Sequence, residues 1–405
     1  MFLSLVVFLL LTPQLSIHFS FFKLDSYILL LILLIIKFLR IKKHVIYKES
    51  FFFFFMIGLF FYLLLVQTLL SNTGVEIYAH TTYVDFREND TYGLAPVQGL
   101  FDVKLLIKLF SMLIFSFLIY DYLKEQSVNK LVSFFKNILY TLAVIQVFFF
   151  IFNKLGIVEN IIRLFFQDNV QPGGSLGIAF TIRDDYFRYS GGFAEPSHLA
   201  IIYFIAAISL FYLIREYKIK ITLFSKVLIF LSWFVVLITT ISFTHFLSLI
   251  LVLFIILNLS RQLLAVGLVL FLLSFELIVI LDLEFLKSIN ASFIARIYLN
   301  TNLETLSINQ FLFGVGITNF YNFIISKNLI LQLGFFGTII WISILFRYFY
   351  DKNFLFILSI LVILFISPRL SDVFLYIAFA FFLAIKYKLK THGNNFKHNK
   401  EPELQ

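Results

Sequence analysis

The sequence contains no cysteine. Disulfides, iron–sulfur clusters and thiolate zinc sites are therefore excluded, and loops outside a core must hold their shape without staples. Charge is also scarce: Asp, Glu, Lys and Arg make up 14% of the 405 residues, against about 25% in a soluble domain. There is no H-E-x-x-H and no P-loop, so zincin and nucleotide-cradling chemistry have no motif to rest on. No dense His/Asp cluster points to a metal, and no long polar stretch falls where a cytoplasmic nucleotide-sugar domain would be.

What is present is apolar. Hydrophobic residues reach 61%, with 57 Phe, and the mean hydropathy is +0.96. A water-soluble fold cannot hide that much apolar surface, so lipid is the expected solvent for most of the chain. The five rings of Phe51–Phe55 read as lipid-facing bulk. The net charge of +9 is no nucleic-acid signature, because the basic residues sit in short clusters between apolar runs, where they orient a protein in a bilayer.

A helix crossing the hydrocarbon layer needs about 20 largely apolar residues. Twelve runs are candidates, several of them short: 2–20, 24–39, 50–71, 105–120, 137–153, 197–214, 227–243, 245–259, 262–281, 329–346, 354–367 and 372–387. The expected fold is an all-α polytopic membrane protein, one membrane domain over 1–405. The first run is interrupted at Thr12-Pro13-Gln14 and lacks a following small-residue cleavage site, so it reads as a retained span. The Phe243/Thr244/His245 junction reads as a tight outer turn or as one long bent helix.

Positive charge sets the orientation. With the N-terminus inside, the inner segments hold Arg40, Lys42, Lys43, Lys48, Lys124, Lys130, Lys136, Arg215, Lys218, Lys220, Lys226, Arg261, Arg347 and Lys352. Twelve crossings return the C-terminus to the same side, where 386–405 forms a basic cytoplasmic tail, expected to be disordered and solvated. Three long polar segments then face outward, over 72–104, 154–196 and 282–328. Loops of such length that carry aromatics and both charge signs are expected to be ordered and functional. In the second, Ile157–Gln167 has helical periodicity, with Ile157, Ile161 and Phe165 on one face and Glu159 and Arg163 on the other. It reads as an interfacial helix or as a cap on the bundle.

The densest polar constellation runs from Arg183 to His198 and leads into the sixth run. Gly191-Gly192 opens backbone conformations closed to other residues. Pro196-Ser197 suits a helix start, so Glu195 sits where the helix dipole favours its ionised form. The bland alternative is a capping carboxylate; for Arg183 and Arg188 it is snorkelling, or pairing with Asp184 and Asp185. In the third loop stand Arg296, Gly314-Val315-Gly316, Asn319 and Lys327-Asn328, with Gly334 and Gly337 following as close helix-packing positions. Glu276, inside the ninth run, is an intramembrane acid without an obvious partner. His245 reads as a general base or as a hydrogen-bonded structural histidine.

Arg188-Tyr-Ser-Gly-Gly-Phe-Ala-Glu195-Pro-Ser197 resembles the R-x-S-G-x-F-x-E-P-S stretch of Wzy-type O-antigen and capsular polysaccharide polymerases. Phe313-Gly-Val-Gly316-Ile-Thr-Asn319 is similar to their G-x-G-x-x-N segment. Lys327-Asn328-Leu-Ile-Leu-Gln-Leu-Gly334-Phe-Phe-Gly337 resembles the H-N pair, leucine and G-x-x-G of the wider polymerase/ligase superfamily. Ser292–Arg296 stands where its S-x-x-x-R element falls, and Ser242-Phe-Thr244 is similar to its S-R-T/G stretch without the arginine. The superfamily's frequent histidine is Lys327 here, a departure that favours polymerase over ligase and leaves the base assignment open.

The resemblance implies a membrane glycosyltransferase that lengthens polysaccharide on undecaprenyl pyrophosphate, in the plasma membrane with both termini cytoplasmic. The implied catalytic residues are Glu195, Arg188, Arg296 and His198; the implied substrate-binding residues are Arg183, Tyr189, Gly191, Gly316, Asn319 and Lys327. Guanidinium groups bind phosphate bidentately, and the acceptor hydroxyl needs a base within hydrogen-bond reach: Glu195 first, His198 or His245 in reserve. No metal and no cofactor are called for. Expected partners are the lipid-linked oligosaccharide, a chain-length regulator and a flippase. The rival readings are an O-antigen ligase and, from another class, a lipid-linked oligosaccharide flippase, which would line a midplane path with polar residues.

Overall fold

The computed structural model describes residues 2–11, 16–18, 23–40, 48–70, 76–80, 94–98, 103–154, 180–183, 186–189, 196–240, 308–314, 325–350, 355–366, 370 and 373–398. In these the chain is predominantly α-helical. Among the described residues, three helical stretches are long and apolar enough to cross a membrane: Val128–Phe148, His198–Glu216 and Gln332–Phe349. The eighth and ninth runs, the Phe243–His245 junction, Glu276 and the Ile157–Gln167 helix lie outside the described residues.

The contacts divide the chain into two units, 1–45 with 115–259 and 377–405, and 46–114 with 260–376. In the first unit, α1 (Phe2–Leu11) stops well short of its expected end. The proline at 13 disfavours helix in the residue before it and cannot donate to the ladder. A small antiparallel pair follows, β1 (Ser16–His18) and β2 (Lys23–Asp25), and then α2 (Ser26–Leu39). The helices α4 (Val103–Lys124), which belongs to this unit from Phe115 onward, and α5 (Val128–Lys154) are joined by a tight turn in which Ser127 accepts from the Lys130 N–H at 3.4 Å, an N-cap. α6 (Pro196–Glu216) and α7 (Leu223–Thr240) both pack on α5.

The turn from α6 to α7 closes as a Schellman motif: Ile219 N–H donates to Ile214 O at 3.0 Å and Lys218 N–H to Arg215 O at 3.3 Å. Lys218 takes the left-handed position there, with φ 50°. Leu199 to Ile208 of α6 are buried on every side, as expected of a helix that is apolar all round. α7 is the opposite case: Leu223, Phe224, Val227, Phe230, Leu231, Phe234 and Ile238 are exposed. That stripe would be a liability in water and is the natural surface of a helix bordering lipid.

The second unit holds α3 (Phe51–Leu70), entered from a short 3-10 turn at Lys48–Ser50, and the antiparallel pair β3 (Glu76–His80) and β4 (Leu94–Gln98). It continues with α8 (Ile308–Phe313), α9 (Ile325–Phe349) and α10 (Leu355–Ile366). The Phe51–Phe55 run is not uniform lipid-facing bulk. Phe51, Phe54 and Phe55 are exposed, whereas Phe52 and Phe53 are buried. The Phe52 ring sits 5.6 Å from Tyr348 and 5.1 Å from Phe349 of α9. Five residues of helix cover more than one turn, so such a run must present both faces.

α11 (Val373–His398) is a continuous helix through most of the basic C-terminal segment. The expected irregular tail is thus helical as far as His398. The residues Phe374 to Ile385 are buried throughout, and basic residues begin at Lys386.

Candidate functional site

The constellation before α6 is built on a β-hairpin. β5 (Phe180–Arg183) pairs antiparallel with β6 (Tyr186–Tyr189) across the two-residue link Asp184-Asp185. The register is Phe180↔Tyr189, Thr181↔Arg188, Ile182↔Phe187 and Arg183↔Tyr186. Cross-strand partners share a face and successive residues alternate. Thr181, Arg183, Tyr186 and Arg188 therefore occupy positions of one face, and Phe180, Ile182, Phe187 and Tyr189 positions of the other. The segment has the alternation of an amphipathic hairpin, which a helix-scale scan of apolar runs does not detect. β6 comes alongside α5 and α7.

Of the sequence-predicted site residues in the first unit, the hairpin brings Arg183 and Arg188 to one face and sets Tyr189 on the other. His198 stands half-buried in the first turn of α6, three residues into the helix that Pro196 opens. Proline fits that first position because its missing N–H has no partner to lose. Glu195 and Gly191 lie outside the described residues. In the second unit Lys327 falls in the first turn of α9, while Arg296, Gly316 and Asn319 lie outside the described residues. His245 does so as well. Among the described residues no group of three or more His, Asp or Glu comes together as a metal site.

A feature the sequence alone does not expose is the contact between Gly314 and Gly334. α8 ends at Gly314, whose φ is 84°. Its N–H donates to Gln310 O at 2.7 Å, closing the single-bond left-handed helix cap. α9 is broken at Gly334, with φ 71° and ψ 175°. The two glycines meet backbone to backbone. A Cβ on Gly314 would lie 2.6 Å from Gly334 N and 2.8 Å from Gln332 O. A Cβ on Gly334 would lie 2.5 Å from Leu312 O and against Phe313 C and Gly314 N. Rings flank the contact, Phe311 on Phe335 at 6.0 Å and Phe313 near Phe336 at 5.8 Å. Gly334 is thus more than a smooth helix-packing position: it is a break in the helix.

The architecture is that of a predominantly helical, membrane-associated protein. Compared with family models, curated proteins and solved structures, the chain matches none.

Proposed function

We propose that the chain is a polymerase of undecaprenyl-pyrophosphate-linked oligosaccharide repeat units, serving O-antigen, capsular or exopolysaccharide synthesis in the cell envelope. The observation that carries this reading is the hairpin register, with Arg183 and Arg188 on one face directly ahead of Glu195 and the start of α6. Diagonal neighbours on one face of a hairpin lie about 7–8 Å apart, within reach of two guanidinium groups converging on one diphosphate. The order of the short motifs resembling the polymerase family adds support.

In the proposed reaction the growing glycan is the donor, held through its anomeric carbon on lipid diphosphate. The acceptor is the terminal sugar hydroxyl of a new lipid-linked repeat. Glu195 takes the hydroxyl proton, the hydroxyl oxygen bonds to the anomeric carbon, and the bond from that carbon to the phosphate oxygen breaks. The electron pair leaves on the diphosphate, where Arg183, Arg188 and Arg296 offset the charge. Lys327 adds to that field, Tyr189 and Tyr186 offer ring faces to sugars, and Gly191, Gly316 and Asn319 shape the loops. His198 or His245 is the reserve base. The proposed setting is a multi-pass plasma-membrane protein with both termini cytoplasmic.

The test is genetic and biochemical. Arg188→Ala, Glu195→Gln and Arg296→Ala should each abolish long-chain polymer at unchanged protein level; normal chain length in all three refutes the site. Loss of the gene should accumulate lipid-linked single repeats. Accumulation of long lipid-linked polymer instead identifies a ligase, and repeats trapped on the cytoplasmic side identify a flippase.

A further inference from the structure

α9 interrupts itself at a depth where interruption is costly. From Gly334 to Arg347 is thirteen residues of helix, about 20 Å at 1.5 Å per residue, whereas a hydrocarbon layer is about 30 Å thick. With Arg347 at the inner boundary, where its guanidinium lies 5.6 Å over the Phe55 ring, the break at Gly334 falls inside the apolar layer. Backbone freed there must be satisfied by protein, since lipid offers no partners. α8 is the protein packed into that notch. Its C-terminal carbonyl at Leu312 and its cap at Gly314 fill the notch, and Phe311 stacks on Phe335 outside it. The hydroxyl of Thr338 donates to Gly334 O at 2.7 Å and ties the far side of the break.

The geometry points to a fixed backbone joint: we propose that Gly314 and Gly334 are positioning residues whose contact fixes the orientation of the first segment of α9, the turn carrying Lys327 and Asn328, for the transfer reaction. The positioning role rests on the polymerase reading above; the joint itself does not. Two requirements meet at each glycine. One is a positive φ, which at Gly314 (φ 84°) asparagine can also adopt, whereas φ 71° with ψ 175° at Gly334 is essentially closed to any residue but glycine. The other is the absence of a Cβ, which only glycine satisfies.

That difference is the test. Gly314→Asn keeps access to the left-handed cap but places a Cβ against Gly334 N. Gly314→Asn, Gly314→Ala and Gly334→Ala should all shorten polymer and lower transfer on the order of a hundredfold, the loss that a displacement of about 1 Å produces at a reacting centre. Gly58→Ala is the control, because nothing lies within 4 Å of its Cβ, and it should leave chain length unchanged. Restoration of chain length by Gly314→Asn would reduce Gly314 to a cap and overturn the proposal.

The joint is read separately by cross-linking, which the absence of cysteine makes clean. In native membranes, Phe313→Cys with Phe336→Cys should link through a short bifunctional thiol reagent, and the linked full-length protein should keep its chain length. Failure to link removes the joint whatever the enzyme does. Linked but inactive protein shows that the joint must open, which also overturns the proposal. If the parent protein makes no polymer while the pair still links, the polymerase reading fails and the positioning role falls with it, leaving only the joint.

Discussion

The Tyr203 hydroxyl donates to Ser232 Oγ across 3.0 Å, joining α6 to α7 inside the first unit. The direction follows from proton count: Ser232 spends its one proton on Ile229 O at 2.8 Å, so its oxygen is the acceptor. Both residues are buried. A second tie, from Tyr140 Oη to Ser225 O at 3.4 Å, links α5 to α7 in the same unit. Where apolar burial cannot drive helices together in lipid, such polar ties contribute to which faces meet.

Tyr203→Phe should therefore lower unfolding free energy in detergent by about 0.6 kcal/mol, the mean for interhelical hydrogen bonds in a membrane bundle. Ser232→Ala removes the same tie, and the double variant Tyr203→Phe with Ser232→Ala should lose less than the sum of the two single losses. Full additivity would show that the two hydroxyls are not coupled.

A buried ion pair closes α4. Lys124 Nζ meets Asp121 at 2.5 Å, both side chains are under 10% exposed, and the ammonium also lies 5.5 Å from the Tyr120 ring. Removing one partner of a buried pair is strongly destabilising, at about 3–5 kcal/mol. Asp121→Ala should destabilise by that amount, and adding Lys124→Met should recover most of it. Full additivity of the two losses in a denaturation series would refute the coupling.

Helices were the legible part, and the reason is physical. The apolar run after Pro196 and the 50–71 run map on α6 and α3 within a few residues, because composition alone decides what can cross lipid. Thr12-Pro13 was legible as an interruption, though not as the end of α1. Which of five consecutive phenylalanines face inward was not, since that depends on where Tyr348 and Phe349 lie. The Gly314–Gly334 contact was beyond reach for the same reason: each glycine reads as a generic loop or packing residue until its partner, twenty positions away, is placed. Of the candidate site, the hairpin is legible in the alternation of Thr181–Arg188, whereas the charge of Arg183 and Arg188 says nothing of the face they share.

Along α3 the two faces should respond differently. Phe52→Ala opens a cavity against Tyr348 and Phe349 and should cost about 3–5 kcal/mol. Phe54→Ala, on the exposed face, should stay within about 0.5 kcal/mol. Thermal unfolding of the two variants in the same detergent measures the difference, and equal losses would place both rings in the interior.

The hairpin register makes the strongest demand on the proposed chemistry, because a strand offers only two faces. Thr181 lies directly opposite Arg188 and on its face, so a guanidinium supplied from position 181 starts near the one it replaces. Arg188→Ala should slow each transfer by about 10- to 150-fold, the worth of one charge-assisted hydrogen-bonded contact of about 1.5–3 kcal/mol, and so leave no long-chain polymer. Thr181→Arg added to it should restore a substantial part. The exchange Phe187→Arg with Arg188→Phe keeps composition and net charge but moves the guanidinium to the other face, and it should restore nothing. Chain-length ladders from cells carrying each variant at matched protein level decide the matter. If the exchange variant polymerises normally, basic charge near α6 is sufficient and the face of the hairpin is irrelevant to the transfer.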